Sequence, residues 1–315
     1  MRKFIAAFSC LILLTNTGFC QRDSSSVAVI RPNVVSFSSA PVGEPLGPHK
    51  SRVYNMHPKY QLPLGALAIV GSTMGFRALD ENARLTPSEA AKLNANDINS
   101  FDRPTALQDP SGFASAASAG DFFLNFSVAS PVLLALDKET RKNWVDLLTL
   151  YLASQAFDNM LYFGAIATVR RPRPLAYNPM LDSVARSGVG MTKSFFSGHV
   201  SFSATATFFA VKVYTDYHNI KGWSRIGLYS LAAVPPLLTG YFRVKSARHF
   251  KTDVIVGMIA GGTSGILVPE LFKRKDRSGV TFTPYYVPQG GGISMTMAVN
   301  KKTKKPKAFE FLASR

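Results

Sequence analysis

Cysteine is almost missing from this 315-residue chain: the two present, Cys10 and Cys20, both fall before Gln21. A chain starting at Gln21 has none, which excludes disulfides and cysteine-ligated metal from it. Acidic residues are scarce as well, 19 against 36 lysines and arginines, for a net charge of +17. The carboxylates do not cluster, so the sequence offers no carboxylate-rich metal site. No repeat of fixed period is present. No nucleic-acid-binding module is present either, so nucleic acid is not an expected partner. The basic excess suits phosphates and lipid headgroups. Long charge-free runs are few, and the mean hydropathy is only +0.07 although 46% of residues are hydrophobic.

What is there divides into five parts. Residues 1–20 read as a secretory signal peptide, with Arg2 and Lys3, an apolar run over 4–14, and Gly18 and Cys20 before a cut ahead of Gln21. The alternative is an uncleaved anchor. Residues 21–60, rich in Ser, Pro and Val, read as an extended leader. Residues 61–142 form an N-terminal helical region, with an apolar helix over 62–76. Thr86, Pro87 and Glu89 signal a capped helix start there. The apolar stretch 121–136 is short and Pro-interrupted, and is expected not to cross a membrane. Residues 143–273 hold the clearest helices: 144–169, 200–214, 226–242 with a kink at Pro235-Pro236, and 254–272. In the last, Gly257, Gly261 and Gly265 recur every four residues, a close-packing stripe. Residues 274–315 form a basic tail ending in KKTKKPK, with strand-like alternation at Ile293, Met295, Met297 and Val299.

Three polar clusters interrupt the apolar helices. In GYFRVKSARHFKTD, residues 240–253, Arg243 precedes His249 by six positions and His249 precedes Asp253 by four. If a helix starts near His249, Asp253 lies on the same face and can accept from one imidazole nitrogen, freeing the other as a nucleophile. In TVRRPRPLAYNP, residues 168–179, prolines stiffen a turn carrying Arg170, Arg171 and Arg173, which suits oxyanion binding. In KSFFSGHVSFS, residues 193–203, Ser197, Gly198 and His199 open a helix whose free N–H groups attract anions. Taken singly, these could be membrane-surface anchors and ordinary caps.

In this order the three clusters resemble the motifs of the type 2 phosphatidic acid phosphatase and vanadium haloperoxidase superfamily, over residues 144 to about 272. The resemblance implies an all-α helical bundle of the acid phosphatase/haloperoxidase type, membrane-embedded, with the short β-like tail appended. It implies His249 as nucleophile, Asp253 as its orienting partner and His199 as general acid. It implies Arg173, Ser197, Gly198 and Arg243 as phosphate ligands, and neither metal nor other cofactor. Three positions depart from the family pattern: Ile166 stands where a lysine is usual, Phe196 where a proline is, and Phe242 where a serine is. Arg171 is therefore expected to cover the oxygen the lysine would meet, with Arg170 turned to the surface.

The expected activity is metal-independent hydrolysis of a phosphomonoester or pyrophosphate, of a lipid or of another phosphoester. The expected place is a bacterial inner membrane with the site facing the periplasm, the alternative being a soluble periplasmic enzyme. The rival of a different class is a non-catalytic phospholipid- or polyanion-binding protein, and vanadate-dependent oxidation is a third reading.

Overall fold

The computed structural model describes residues 52–274 and the backbone of two strands, β1 (Val280–Val287) and β2 (Gly290–Met297). The signal-peptide segment, the leader up to residue 51 and the basic end of the tail lie outside the described residues; the last part of the expected leader is not extended throughout, since Tyr54 and Met56 are buried in the core and a helix starts at Pro58. Among the described residues six long helices dominate: α1 (Pro58–Asn82), α2 (Phe113–Ala129), α3 (Trp144–Thr168), α4 (Gly198–Tyr217), α5 (Gly222–Lys245) and α6 (Lys251–Phe272). The tail holds an antiparallel hairpin, pairing Val280 with Met297 through Val287 with Gly290, where the sequence suggested one strand.

The helices run alternately up and down. At one end Asn55 N donates to Phe272 O, Tyr54 Oη to Asp216, and Asn143 Nδ2 to Tyr217 Oη. At the other end Gly190 N donates to Asp80 O and Gln108 Nε2 to Val244 O. Residues 83–112 and 169–197 cover that second end. The first of these carries the expected cap: Glu89 N donates to Thr86 Oγ1, and Thr86 N to the Glu89 carboxylate. Each of the expected helices is present; the one expected over 144–169 ends at Thr168, and the others extend past their apolar runs or, for 121–136, begin earlier. α5 continues through both Pro235 and Pro236.

The glycine stripe fixes how α6 meets α4. A Cβ on Gly257 would lie 2.6 Å from Ser197 O, and one on Gly265 2.5 Å from Thr205 O. Gly261 is held as closely against Ser201 O. Only glycine permits this backbone contact, and it locks the start of α4 against the start of α6.

Three stretches are long and apolar enough to cross a membrane: Pro58–Asn82, Pro110–Leu136 and Lys251–Phe272. The second corrects the reading of 121–136 as too short. Its helix begins eight residues earlier, at Phe113, and a 3-10 segment, Ser130–Leu136, carries the apolar stretch past Pro131. α5 does not join the three, although its apolar run is nearly as long. Large apolar side chains nonetheless face outward on several helices, among them Leu67, Val132, Trp223, Leu231, Ile259 and Leu271. A soluble monomer rarely exposes so much, and the belt indicates membrane association.

Candidate active site

Backbone hydrogen bonds sew the three motifs together. Pro172 stops α3, and the chain leaves it extended. Arg171 N donates to Thr192 O, Ser194 N to Arg171 O, and Arg173 N to Met191 O. On the other side Leu175 N donates to Ala247 O, in the turn between α5 and α6. That turn is tight: Arg248 N and His249 N both point at Arg243 O, with Ala247 at φ 50°. Ser197 N donates to Asp253 O, which ties α4 to α6. The arginine loop, the Ser-Gly-His start and the His–Asp segment thus share one end of the bundle.

His249 is 3% exposed, and its Nδ1 lies 2.7 Å from Ser194 O. A carbonyl can only accept, so Nδ1 carries the proton and Nε2 keeps its lone pair. Burial, then the nearby Arg173 charge, holds this imidazole well below its ordinary pKa. A neutral ring with a bare Nε2 is the state a nucleophile needs.

The expected bond from His249 to Asp253 is not made. α6 starts at Lys251, so His249 precedes the helix and the two residues do not share a face. Asp253 instead accepts from Phe250 N at 2.9 Å and from Ser194 Oγ at 2.6 Å. It reaches His249 through Ser194, whose hydroxyl binds the carboxylate and whose carbonyl binds the ring.

Arg171 is the second correction. Its Nη1 donates to Asp253 Oδ1 and to Thr252 Oγ1, and its Nη2 to Asp102 Oδ2 at 2.8 Å. Its guanidinium also stacks on Phe250, 4.2 Å from the ring centroid. These carboxylates claim its donors, so it braces Asp253 and does not stand in for the absent lysine. Ile166 lies half-buried in the last turn of α3. Arg170 behaves as expected of a surface group, reaching Arg84 O and Glu89.

Arg173 and Arg243 are different. Arg243 is buried and Arg173 half-buried, each with an unpartnered Nε shut off from solvent, and Ser197 Oγ is buried and unpartnered too. Burial, then the neighbouring Arg248, pushes Arg173 down to about 10, still cationic at neutral pH. Arg248 adds a third guanidinium, with no side-chain hydrogen bond or ion pair among the described residues. Burial and Arg243 bring His199 to about 3, against the opposing pull of Asp121. Gly198 lies under Tyr162, where a Cβ would sit 2.9 Å from the ring. It admits the phenol face, and with it the buried start of α4.

Sequence reasoning missed Ser194, Asp102, Arg248 and Asp121. Asp121 alone carried a signal, as the single charged residue in the apolar stretch 110–136. Among the described residues no three His, Cys, Asp or Glu side chains converge. The groups that do converge are hydrogen-bond donors and cations around a nucleophilic nitrogen, which suits an oxyanion. Residues 144–277 match the family model described as PAP2 superfamily. No curated protein and no solved structure matches the chain.

Proposed function

The chain belongs to the PAP2 superfamily through residues 144–277, and on that premise we propose that it hydrolyses a phosphomonoester or pyrophosphate of a lipid through a phosphohistidine. The superfamily supports phosphatase-type chemistry in general; substrate and mechanism are the proposal. One observation carries it: Ser197 Oγ, Arg173 Nε and Arg243 Nε are buried donors without partners beside a neutral His249. Leaving such groups unsatisfied costs about 1–3 kcal/mol each, a cost that a bound phosphoryl group would remove.

The reaction follows from the protonation states. His249 Nε2 attacks phosphorus, the P–O bond to the leaving group breaks, and His199 gives that oxygen a proton. Water then attacks the phosphohistidine, His199 takes a proton from it, the P–N bond breaks, and inorganic phosphate leaves. Arg173, Arg243, Ser197 and the N–H groups at the start of α4 hold the phosphoryl oxygens. In the empty site His199 is neutral. A bound dianion offsets the guanidinium charges and raises the His199 pKa, so that the ring takes from solvent the proton that the first step needs. Arg171, Asp253 and Ser194 position His249 without touching substrate.

The outward apolar side chains support a lipid substrate, since they set the site at one end of a bundle whose flanks suit acyl chains. The loop between α2 and α3 carries Lys138, Arg141 and Lys142 within a few residues, and lies at the opposite end. By the positive-inside rule that end is cytoplasmic and the site faces outward, toward the periplasm in a bacterial cell. The test is phosphate release in chelator from phosphatidic acid vesicles and from p-nitrophenyl phosphate. Wild type should release phosphate from the lipid, and His249→Ala should lose at least about 10⁴-fold with its helical spectrum retained. Equal turnover by the two would remove the phosphohistidine. Phosphate binding without turnover would favour the polyanion-binding reading, which Ile166 motivates.

A further inference from the structure

Asp121 belongs to none of the three motifs and sits on α2, yet it reaches into their midst. Its Oδ1 accepts from Arg243 Nη2 and lies 3.3 Å from His199 Nε2. The approach is built into the helix: a Cβ on the preceding Gly120 would come within 3.2 Å of Arg243 Nε. Arg243 and His199 hold it, with Arg173 beside His199 and Arg248 beside Arg243, so among the described residues it is the one carboxylate in contact with clamp and acid together. Asp253, the other acid nearby, is turned to Arg171, Ser194 and Phe250. The Asp121 side chain is 55% exposed, which leaves it room to turn away.

We propose that Asp121 is a tethered competitor for the phosphoryl group, which sets how tightly the site holds any phosphate anion. This rests on the phosphatase reading above. In that reading Arg243 binds a phosphoryl oxygen and His199 Nε2 faces the leaving oxygen. Asp121 already holds both donors with a single oxygen. It cannot remain there once the phosphoryl group arrives, because two anions would share one set of donors. The carboxylate brings one negative charge, whereas a phosphomonoester brings about 1.5–2 near neutral pH. The dianion therefore gains more from the three guanidiniums than the displaced carboxylate gave. A phosphodiester must displace the same carboxylate with no extra charge to repay the exchange. Apparent affinity falls in proportion to the fraction of molecules with Asp121 turned out, so removing its charge tightens binding of both anions by about the same factor.

The experiment is calorimetric titration of the detergent-solubilised full-length chain with inorganic phosphate and with dimethyl phosphate. Wild type, Asp121→Asn, Asp121→Ser and Arg173→Ala are compared, each checked for a cooperative melt. The expected result is phosphate binding tightened about tenfold or more in both Asp121 variants, with a similar gain for dimethyl phosphate. Unchanged or weaker phosphate binding in both would overturn the proposal, because the carboxylate would then be inert or helpful. A gain for one anion alone would overturn displacement of a shared competitor. Arg173→Ala separates the failures. Wild-type binding that survives this substitution removes the phosphatase reading and the competitor with it. Binding that needs Arg173 but ignores Asp121 removes the competitor alone.

Discussion

Both ends of the bundle bury cations, and they treat them in opposite ways. At the end away from the site, Lys212 is 1% exposed and pairs with Asp216 and Glu270. Asp216 also accepts from Lys273 at 2.8 Å and from Tyr54 Oη at 2.8 Å. Two cations meet two carboxylates, and the hydroxyl fills the remaining lone pair. At the site end Arg243 meets Asp121, Arg248 has no side-chain partner among the described residues, and the buried Nε atoms of Arg173 and Arg243 stay bare. A balanced cluster is a fastener, here holding residues 52–56 to α4 and the end of α6. An unbalanced one stores charge for a ligand.

The largest effects come from removing one cation at each end. Arg173→Met should lower phosphate release by about 10³-fold or more, whereas Lys212→Met should leave release per folded molecule within about twofold. Stability should move the other way. Lys212→Met strands Asp216 and Glu270 and should cost about 3 kcal/mol by denaturant titration. Arg173→Met removes an uncompensated buried charge and should cost nothing or raise the melting temperature. Two variants that lose stability equally would erase the distinction between the ends.

A smaller effect sharpens the same contrast through pH. His199 and His249 are held neutral by burial and by the surrounding guanidiniums. Below the unfolded value of about 6.5 the unfolded chain takes up protons that the folded site refuses, so stability falls as pH drops. The fall belongs chiefly to His249, which is 3% exposed, since the His199 side chain is 38% exposed; above pH 6.5 or so neither ring contributes a slope. Inorganic phosphate should raise the melting temperature and flatten the fall, because its charge lets the folded rings take protons. A melting temperature that stays flat from pH 7 to pH 5 without phosphate would contradict neutral imidazoles.

The smallest contrast lies between two adjacent arginines. Arg171→Ala should lower kcat about tenfold to a hundredfold with KM little changed, since it releases Asp253 and through it Ser194 and His249. Arg170→Ala, which loses only exposed contacts, should fall within about twofold. A rise in KM alone for Arg171→Ala would return that residue to the phosphate.

The three motifs were legible because each is local: a stiffened Arg-Pro turn, a helix start, and a helix start again. The glycine stripe was legible for the same reason, its period being that of the helix. What escaped were pairings set by the fold. Asp102 lies 69 residues from Arg171, and Asp253 lies 82 residues from it. No local pattern tells an arginine that two carboxylates will claim it. The His249–Asp253 spacing fits a shared helical face, but the turn at Ala247 delays the helix to Lys251 and hands the ring to Ser194. Asp121 announced itself only as a charge in an apolar run, without saying what it would face.

The alternation of six helices has a consequence for the compartments on either side of a membrane. Tyr54 and Lys273, which pair across their backbones, lie at one end of the bundle and so share one aqueous phase, while His199 and His249 lie at the other end.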